Sequence, residues 1–327
     1  MNFQCKNCGA NMVFDPKRQK MFCEHCGSED SETKVGDRST TVCPSCGGEI
    51  SVNELTSASR CSFCGNYLVF DDRVEGNYKP DTILPFKVTK EGAVAIMKHE
   101  FRKRIFTPTD FLTEPTLKGL NGYYVPYFLF DYKAHAYYEG EGTRIRHWTS
   151  GSYDYTETSY YQIVRQMEAQ YDNIPADASY AMDDESMDLV EPYKYDQLLE
   201  FDPKYMSGFF GEVYNEEPSA FEPRAKLKAA ESAKILIKDS ISGYASVSAK
   251  SENISMENGR TDYALFPVWL YVYKYKDEIF RFYVNGQTGK VVGKTPISTK
   301  KVWAYGLSMA AILFFGLKLL WMILEVM

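Results

Sequence analysis

The chain has 327 residues, 44% of them apolar and 25% charged, a balance that fits a globular protein of two or three domains. Acids outnumber bases 44 to 37, for a formal charge of −7, which disfavours a broadly basic nucleic-acid binder. Mean hydropathy is too low for a polytopic membrane protein. All 8 cysteines fall between Cys5 and Cys64, so no disulfide framework runs through the chain. The polar opening from Met1 to Cys5 carries no apolar leader, and none is expected.

The cysteines come in four Cys-x-x-Cys pairs: Cys5/Cys8, Cys23/Cys26, Cys43/Cys46 and Cys61/Cys64. Adding 38 to any cysteine of the first half gives a cysteine of the second, the mark of an internal duplication. Two thiolates three positions apart bind one tetrahedral ion from a tight turn, and two such turns close a four-sulfur shell. Gly9, Gly27, Gly47 and Gly65 follow the pairs, where each turn needs a left-handed residue. The expectation is two structural Zn2+ ions held by these cysteines. Iron in a similar shell, or four redox pairs, are the alternatives. His25 is a spectator beside a complete shell. Four thiolates leave no open coordination position, so these metals are not hydrolytic. With so short a segment per copy, metal binding supplies most of the folding free energy. This part resembles the double zinc ribbon of transcription factors, ribosomal proteins and bacterial adaptors, folds that bind nucleic acid, bind protein or brace a neighbour.

In chain order the expected organisation is a first ribbon over 1–30, a linker over 31–41, a second ribbon over 42–72, an α+β body over 73–300 and a membrane helix over 301–325. The body opens with a helix capped by Thr89, with Val94, Met97, Phe101 and Ile105 at helical spacing. Lys98, Arg102, Lys103 and Arg104 form a basic cluster beside it, read as a solvated face. Strand-like text follows from Val125 to Tyr138 and from Tyr160 to Tyr171, rich in aromatic and β-branched residues. Gly140 and Gly142 read as a hairpin turn. Asp183 to Glu217 is acidic and irregular. A second helix is expected from Pro223 to Ile241, with Leu227, Ala230, Ile237 and Ile241 facing the core. Strands return from Tyr263 to Tyr275 and from Ile279 to Val284, with a turn at Asn285-Gly286. The run from Val125 to Lys133 lines up with that from Phe266 to Lys274, each with a proline near a strand start. The body therefore reads as two related helix-then-sheet halves.

From Val302 to Leu324 the sequence is mostly apolar with Lys318 its only charge, long enough for a hydrocarbon core, with Trp303, Tyr305 and Trp321 towards the ends. The expectation is one C-terminal transmembrane helix with Lys318 snorkelling. Arg281, Lys290, Lys294, Lys300 and Lys301 precede it, which puts the body in the cytoplasm and the protein in the cell membrane as a single-pass, tail-anchored chain. A buried core helix is the alternative.

Motifs for chemistry are wanting. Gly289 to Thr295 has one residue too few between its glycines for a phosphate loop, and Pro296 stands where the helix would begin. Gly140 and Gly142 lack the third glycine of a dinucleotide loop. His99, His135 and His147 are scattered without a nucleophile beside them. The run Asp183 to Glu185 reads as a solvated loop. No catalytic residue is expected.

The whole order, with "GYYVPYFLFDYKA" and "YALFPVWLYVYKY…FYVNGQTGKVVG" in the body, is similar to a family of Gram-positive bacterial proteins labelled TFIIB-type zinc ribbon or primosomal-helicase-N′-like. Some members are similar to a membrane protein encoded beside phage-shock protein A and an SPFH-domain protein. The resemblance implies a non-enzymatic membrane adaptor that recruits such a cytoplasmic protein in envelope stress. The other reading is nucleic-acid binding by the ribbons, through Lys6, Lys17, Arg18 and Lys20.

Overall fold

The computed structural model describes residues 1–35, 42–109 and 119–326. The end of the expected linker, 36–41, lies outside the described residues. The first cysteine unit contains β1 (Asn2–Cys5), β2 (Val13–Asp15), β3 (Lys20–Phe22) and β4 (Glu32–Val35). β2 pairs with β3, and β1 pairs with β4, both antiparallel. Residues 32–35 are thus a strand where a linker was expected. Thr33 and Val35 suit the open edge of β1, and Lys34 reaches Asp71 at 3.5 Å. The second unit contributes β5 (Thr56–Arg60) and β6 (Tyr67–Val69), paired antiparallel.

The body follows with β7 (Thr82–Ile83), α1 (Lys90–Lys103), β8 (Leu120–Ser150), β9 (Tyr153–Asp177), α2 (Asp184–Val190), β10 (Leu199–Glu200) and β11 (Phe210–Glu212). It continues with α3 (Pro218–Asp239), β12 (Ser246–Tyr275), β13 (Glu278–Asn285), β14 (Val291–Val292) and α4 (Thr299–Val326). The Thr89 hydroxyl caps α1 by accepting from the Gly92 amide at 3.1 Å. Ala93, Val94, Met97 and Phe101 turn inward, while Ile105 lies beyond the helix end and is exposed. Among the described residues, ten strands form one mixed sheet, with the path β10-β7-β12-β8-β11-β5-β6 and with β9 and β13 on the flanks. β11 is the hinge of this arrangement. It runs parallel to the start of β8 on one side and antiparallel to β5 on the other, so the second cysteine unit extends the body's own sheet.

Two helix-hairpin sequences make up most of the body: α1 precedes β8–β9, and α3 precedes β12–β13. β12 pairs antiparallel with β8 from Leu120 to Thr143, with Val125 opposite Phe266. A core of stacked and edge-on rings lies at this crossing. Phe86 stacks on Phe209 with centroids 4.1 Å apart and meets Trp269 edge-on at 4.9 Å. Away from that core, β12, β8 and β9 run on as a three-stranded arm. α3 lies along one face of it through Ala225, Ala229, Ala233 and Ile237, and the three alanines let helix and sheet approach closely.

Several expectations are corrected here. Gly140 and Gly142 lie in the middle of β8, and the hairpin turns instead at Gly151, whose φ is +64°. Side-chain bulk explains the two glycines: a Cβ at Gly142 would sit 2.6 Å from both Ile163 and Tyr244. The second helix begins at Pro218, with Pro223 in its interior. Leu227, expected in the core, is 65% exposed, whereas Ile237 is buried as expected; the rest of the inward stripe is Ala225, Ala229 and Ala233. The segment from Asp183 to Glu217 holds α2, β10 and β11.

The fold expected for the C-terminus is overturned. Residues 299–326 do form a helix, but among the described residues no helix is long and apolar enough to cross a membrane. Lys300 and Lys301 open α4, Tyr305, Gly306 and Ser308 dilute its first half, and Lys318 interrupts the run. Its first turn is also tied to the body. The Lys301 ammonium donates to the Thr107 carbonyl oxygen at 2.7 Å, and Phe106 meets Tyr305 edge-on at 5.6 Å. The transmembrane helix over 301–325, and with it the single-pass placement in the cell membrane, are withdrawn.

Candidate metal centres

Each knuckle is built the same way. The amide of the first cysteine donates to the carbonyl of the fifth residue after it, as Cys5 does to Ala10 at 2.8 Å and Cys61 to Asn66 at 2.8 Å. The following glycine returns its amide to the first cysteine's carbonyl, 2.8 Å for Gly9 and 3.0 Å for Gly65. All four glycines have φ between +71° and +79°, a region that strains any other residue. This geometry aims both sulfurs of a pair towards one point.

The topology then brings the pairs together two by two. Cys5, Cys8, Cys23 and Cys26 form one cluster, and Cys43, Cys46, Cys61 and Cys64 the other; in each, all four sulfurs lie within 4.8 Å of one another. The cross-knuckle sulfurs are 3.6 Å apart for Cys5 and Cys26, 3.5 Å for Cys8 and Cys23, 3.7 Å for Cys43 and Cys64 and 3.8 Å for Cys46 and Cys61. A tetrahedral shell with zinc–sulfur bonds of ~2.3 Å requires edges of about 3.8 Å, whereas a disulfide requires ~2.05 Å. The two clusters are structural zinc sites.

The thiols themselves ask for a cation. Burial works against ionising Cys5, but the Asn7 and Cys8 amides, the Ser31 hydroxyl and Cys26 outweigh it and draw the thiol down to about 6. At Cys8 the Ala10 amide pulls downward, yet burial and the neighbouring Cys26, Cys23 and Cys5 sulfurs prevail and push it up to about 12. The same opposition holds in the second cluster. Burial raises Cys61, but the Cys64 and Phe63 amides bring it down to about 7; burial, joined by the other sulfurs, pushes Cys64 up to about 12. Four thiolates this close repel one another, and only a bound dication lets all ionise together.

In each cluster the first cysteine of a pair is buried and the second is exposed. The buried side of the first cluster belongs to the main core. Cys5, Cys23, Phe3, Met12, Phe14 and Met21 pack with Phe86, Tyr124 and Phe209 of the body. Sequence reasoning missed the polar groups around the sulfurs. Ser31 lies 3.7 Å from the Cys5 sulfur and Ser28 lies 3.1 Å from that of Cys26, while Asn7 donates to Ser28 at 2.7 Å. Ser31 falls in the expected linker and Ser28 at the polar end of the expected first ribbon. Serines in such text carry no signal of their own; only proximity to Cys26 hints at them.

The other sequence candidates do not converge on these centres. His135 sits on the arm between Glu168 at 3.4 Å and Glu257 at 3.3 Å, one carboxylate on each neighbouring strand. His147 shares a hydrogen bond of 2.9 Å with Thr156 near the arm's tip. Asp183 caps α2 by accepting from the Ser186 amide at 2.9 Å, and Asp184 pairs with Arg224 at 3.0 Å.

Over nearly its full length the chain is similar to one curated relative, uncharacterized protein YdjG of Bacillus subtilis (strain 168). The two are 33% identical over 336 aligned positions, covering 98% of this chain and 97% of the relative. The chain belongs to the YdjG family. No family model and no solved structure matches it.

Proposed function

We propose that this YdjG-family chain is a non-enzymatic adaptor, braced by zinc, that holds a protein partner. The observation that supports it is the way the metal is built in. Both zinc shells are closed by four cysteines, the first is packed into the main core, and the second extends the main sheet. A closed four-thiolate ion fixes geometry and offers no position to a substrate or to water. What it fixes here is the base from which the three-stranded arm projects. From the resemblance noted above, the partner is a phage-shock-protein-A-like or SPFH-domain protein.

The contacts of the first unit's basic residues favour this over nucleic-acid binding. Arg18 is paired with Asp15 and lies 3.5 Å from Glu29, with its guanidinium 4.1 Å over the Phe22 ring; Lys20 shares Glu29 at 3.4 Å. Cations spent on local carboxylates contribute little to a phosphate-binding surface.

The test is a pull-down of purified phage-shock-protein-A-like and SPFH-domain proteins by the intact zinc-loaded chain, beside a binding titration with duplex DNA across salt. Retention of either protein is the expected result. Retention of neither, together with DNA binding that weakens steeply with salt, would replace the adaptor by the nucleic-acid reading.

A further inference from the structure

The arm outruns its covering helix. β12 begins at Ser246 opposite Thr143, so residues 144–150 of β8 pair only with β9 among the described residues. α3 and the loop after it cover Ala136, Tyr138 and Ile163 through Ile237, Ile241 and Tyr244. Strand alternation continues that same face outward. Arg144, Arg146 and Trp148 lie on it from β8, and Tyr155 and Tyr153 from β9, with Trp148 directly opposite Tyr155. At ~3.3 Å per residue the arm extends about 60 Å from Tyr132 to this end.

The face carries organised but uncovered apolar surface. Trp148 and Tyr155 stack with centroids 5.5 Å apart and planes 10° from parallel, yet they are 42% and 44% exposed, and Tyr153 is 71% exposed. Arg146 lies 5.5 Å over Trp148, and Arg144 lies 5.0 Å from the Tyr161 ring and 5.1 Å from that of Tyr244. The Arg144 Nε donates to the Gly243 carbonyl oxygen at 3.1 Å. Among the described residues neither guanidinium forms an ion pair. Glu157, opposite Arg146 in register, is the acid of this face. A chain of net charge −7 thus presents two unpaired guanidiniums and three exposed rings together at the far end of its longest projection.

We infer that this tip face, centred on Arg144, Arg146 and Trp148, docks an acidic segment of a partner protein through carboxylate–guanidinium pairs around an apolar anchor. The inference rests on the adaptor reading and gives its partner surface a place. Charge decides the sign of the occupant: fixed, ring-held guanidiniums meet carboxylates in planar, two-pronged pairs. Tryptophan, tyrosine and arginine are also the side chains that concentrate binding energy at protein interfaces. A single-stranded nucleic acid is disfavoured because base stacking wants open rings, and the Trp148 ring already has Tyr155 and Arg146 against it.

The test uses the intact zinc-loaded chain and three fluorescent probes: a glutamate–tyrosine copolymer, a lysine–tyrosine copolymer and oligothymidylate. Anisotropy titrations compare the parent with Arg144→Glu/Arg146→Glu, with Trp148→Ala and with Tyr153→Ser. The changed side chains lie outside the core, and zinc content and circular dichroism check that each variant folds. The expected result is selective binding of the glutamate–tyrosine copolymer, weakened at least about tenfold by the double arginine variant and also by Trp148→Ala. Absent binding of that copolymer, equal binding of the lysine copolymer, or tip-dependent binding of oligothymidylate in its place would overturn the inference. The double arginine variant also enters the partner pull-down. Capture that survives the charge reversal sinks the tip and leaves the adaptor standing, whereas no capture by the parent sinks the adaptor itself.

Discussion

The Ser207 hydroxyl donates to the Met12 carbonyl oxygen at 2.7 Å in the buried seam between the first cysteine unit and the body. Two positions on, the Phe14 amide donates to the Ser207 carbonyl oxygen at 2.8 Å. Gly208 follows at φ +102°, where a Cβ would press on Val13 at 3.1 Å. The segment that holds Met12 and, in β2, Phe14 is stretched between the Cys5 and Cys23 knuckles, so the first zinc ion fixes one wall of the body's core. Replacing Cys23 by Ser is therefore expected to lower the zinc content from two ions per chain to one and to destabilise the body by several kcal/mol. Elemental analysis reads the first effect. Near-ultraviolet circular dichroism of the aromatic core, followed through thermal unfolding, reads the second. An unchanged body transition in the one-zinc protein would show that the seam transmits nothing.

A second cluster of charges ties α2 and α3 to the sheet. Asp177 ends β9 with its side chain fully buried and paired to Arg224, which also meets Asp188 at 2.6 Å; Lys228 meets Asp188 at 2.7 Å and Glu191 at 2.9 Å. Removing one member of a buried pair leaves an uncompensated charge. Arg224→Ala is expected to cost about 3 kcal/mol, read from the midpoint of urea unfolding.

The same cluster sets a pH dependence. Burial raises the Asp177 carboxyl to about 6 from an ordinary 3.8, with Arg224 pulling down and only partly succeeding. Between those values the folded chain keeps a proton that the unfolded chain has lost, so this site's contribution to stability declines as pH rises through the window. Asp188 runs the other way: burial opposes ionisation, but hydrogen bonds from Arg224 and Lys228 prevail and lower it, and its contribution declines as pH falls. Asp177→Asn mimics the protonated form at every pH. The difference in stability between this variant and the parent should therefore shift in favour of the variant from about pH 4 to pH 6. A difference that stays flat across that window would count against a raised Asp177. Comparing the two chains at each pH cancels any effect of acid on the zinc sites.

The sequence made the zinc ligands legible because their chemistry is local: three-residue spacing and a left-handed glycine specify a knuckle before any tertiary contact. Thr89 and the Val94, Met97 and Phe101 stripe were legible for the same reason, since a cap and a helical period lie within one element. Gly140 and Gly142 were misread because what they accommodate, Tyr244, Ile163 and the Ser248 carbonyl, comes from distant parts of the chain. α3 was misjudged because its core face is marked by alanines, which carry little hydropathy signal, while Leu227 points out. The run from Val302 to Leu324 reads as a span even with Lys318 weighed as a snorkelling charge, and the docking of Lys301 and Tyr305 on the body is a tertiary contact with no local signal. The tip rings were unremarkable as sequence. Only the register that sets Trp148 against Tyr155 beyond the end of α3 distinguishes them from other aromatic strand residues.

The α1 cap gives a prediction of modest size. Thr89 satisfies one of the free amides at the helix start, and α1 presents Met97 and Phe101 to the body's core, the latter edge-on to Phe282 at 4.7 Å. Thr89→Ala is expected to lower stability by about 1 kcal/mol, and Thr89→Ser or Thr89→Asp by much less. Chemical denaturation of the three variants measures the order. Equal losses for Ala, Ser and Asp would mean that the methyl group, not the cap, carries the effect.

The arm yields the sharpest steric test. At Gly140 an added Cβ would fall 2.6 Å from the Ser248 carbonyl oxygen on β12 and 2.7 Å from the Tyr138 hydroxyl on its own strand. The tyrosine tip can swing aside, but the carbonyl belongs to the backbone ladder of β12, where Ala249 is the partner of Gly140 and the register shifts immediately afterwards. Gly140→Ala should therefore disturb the pairing of β8 with the start of β12 at a cost of roughly 1–3 kcal/mol. A glycine that merely formed a turn without crowding would accept alanine at less cost. Hydrogen exchange localises the effect: faster exchange is expected in residues 246–256 of β12, with the amides around Phe266 unchanged. Uniform acceleration would place the damage in the main core, and protection equal to the parent's would show that the arm tolerates a methyl group at Gly140.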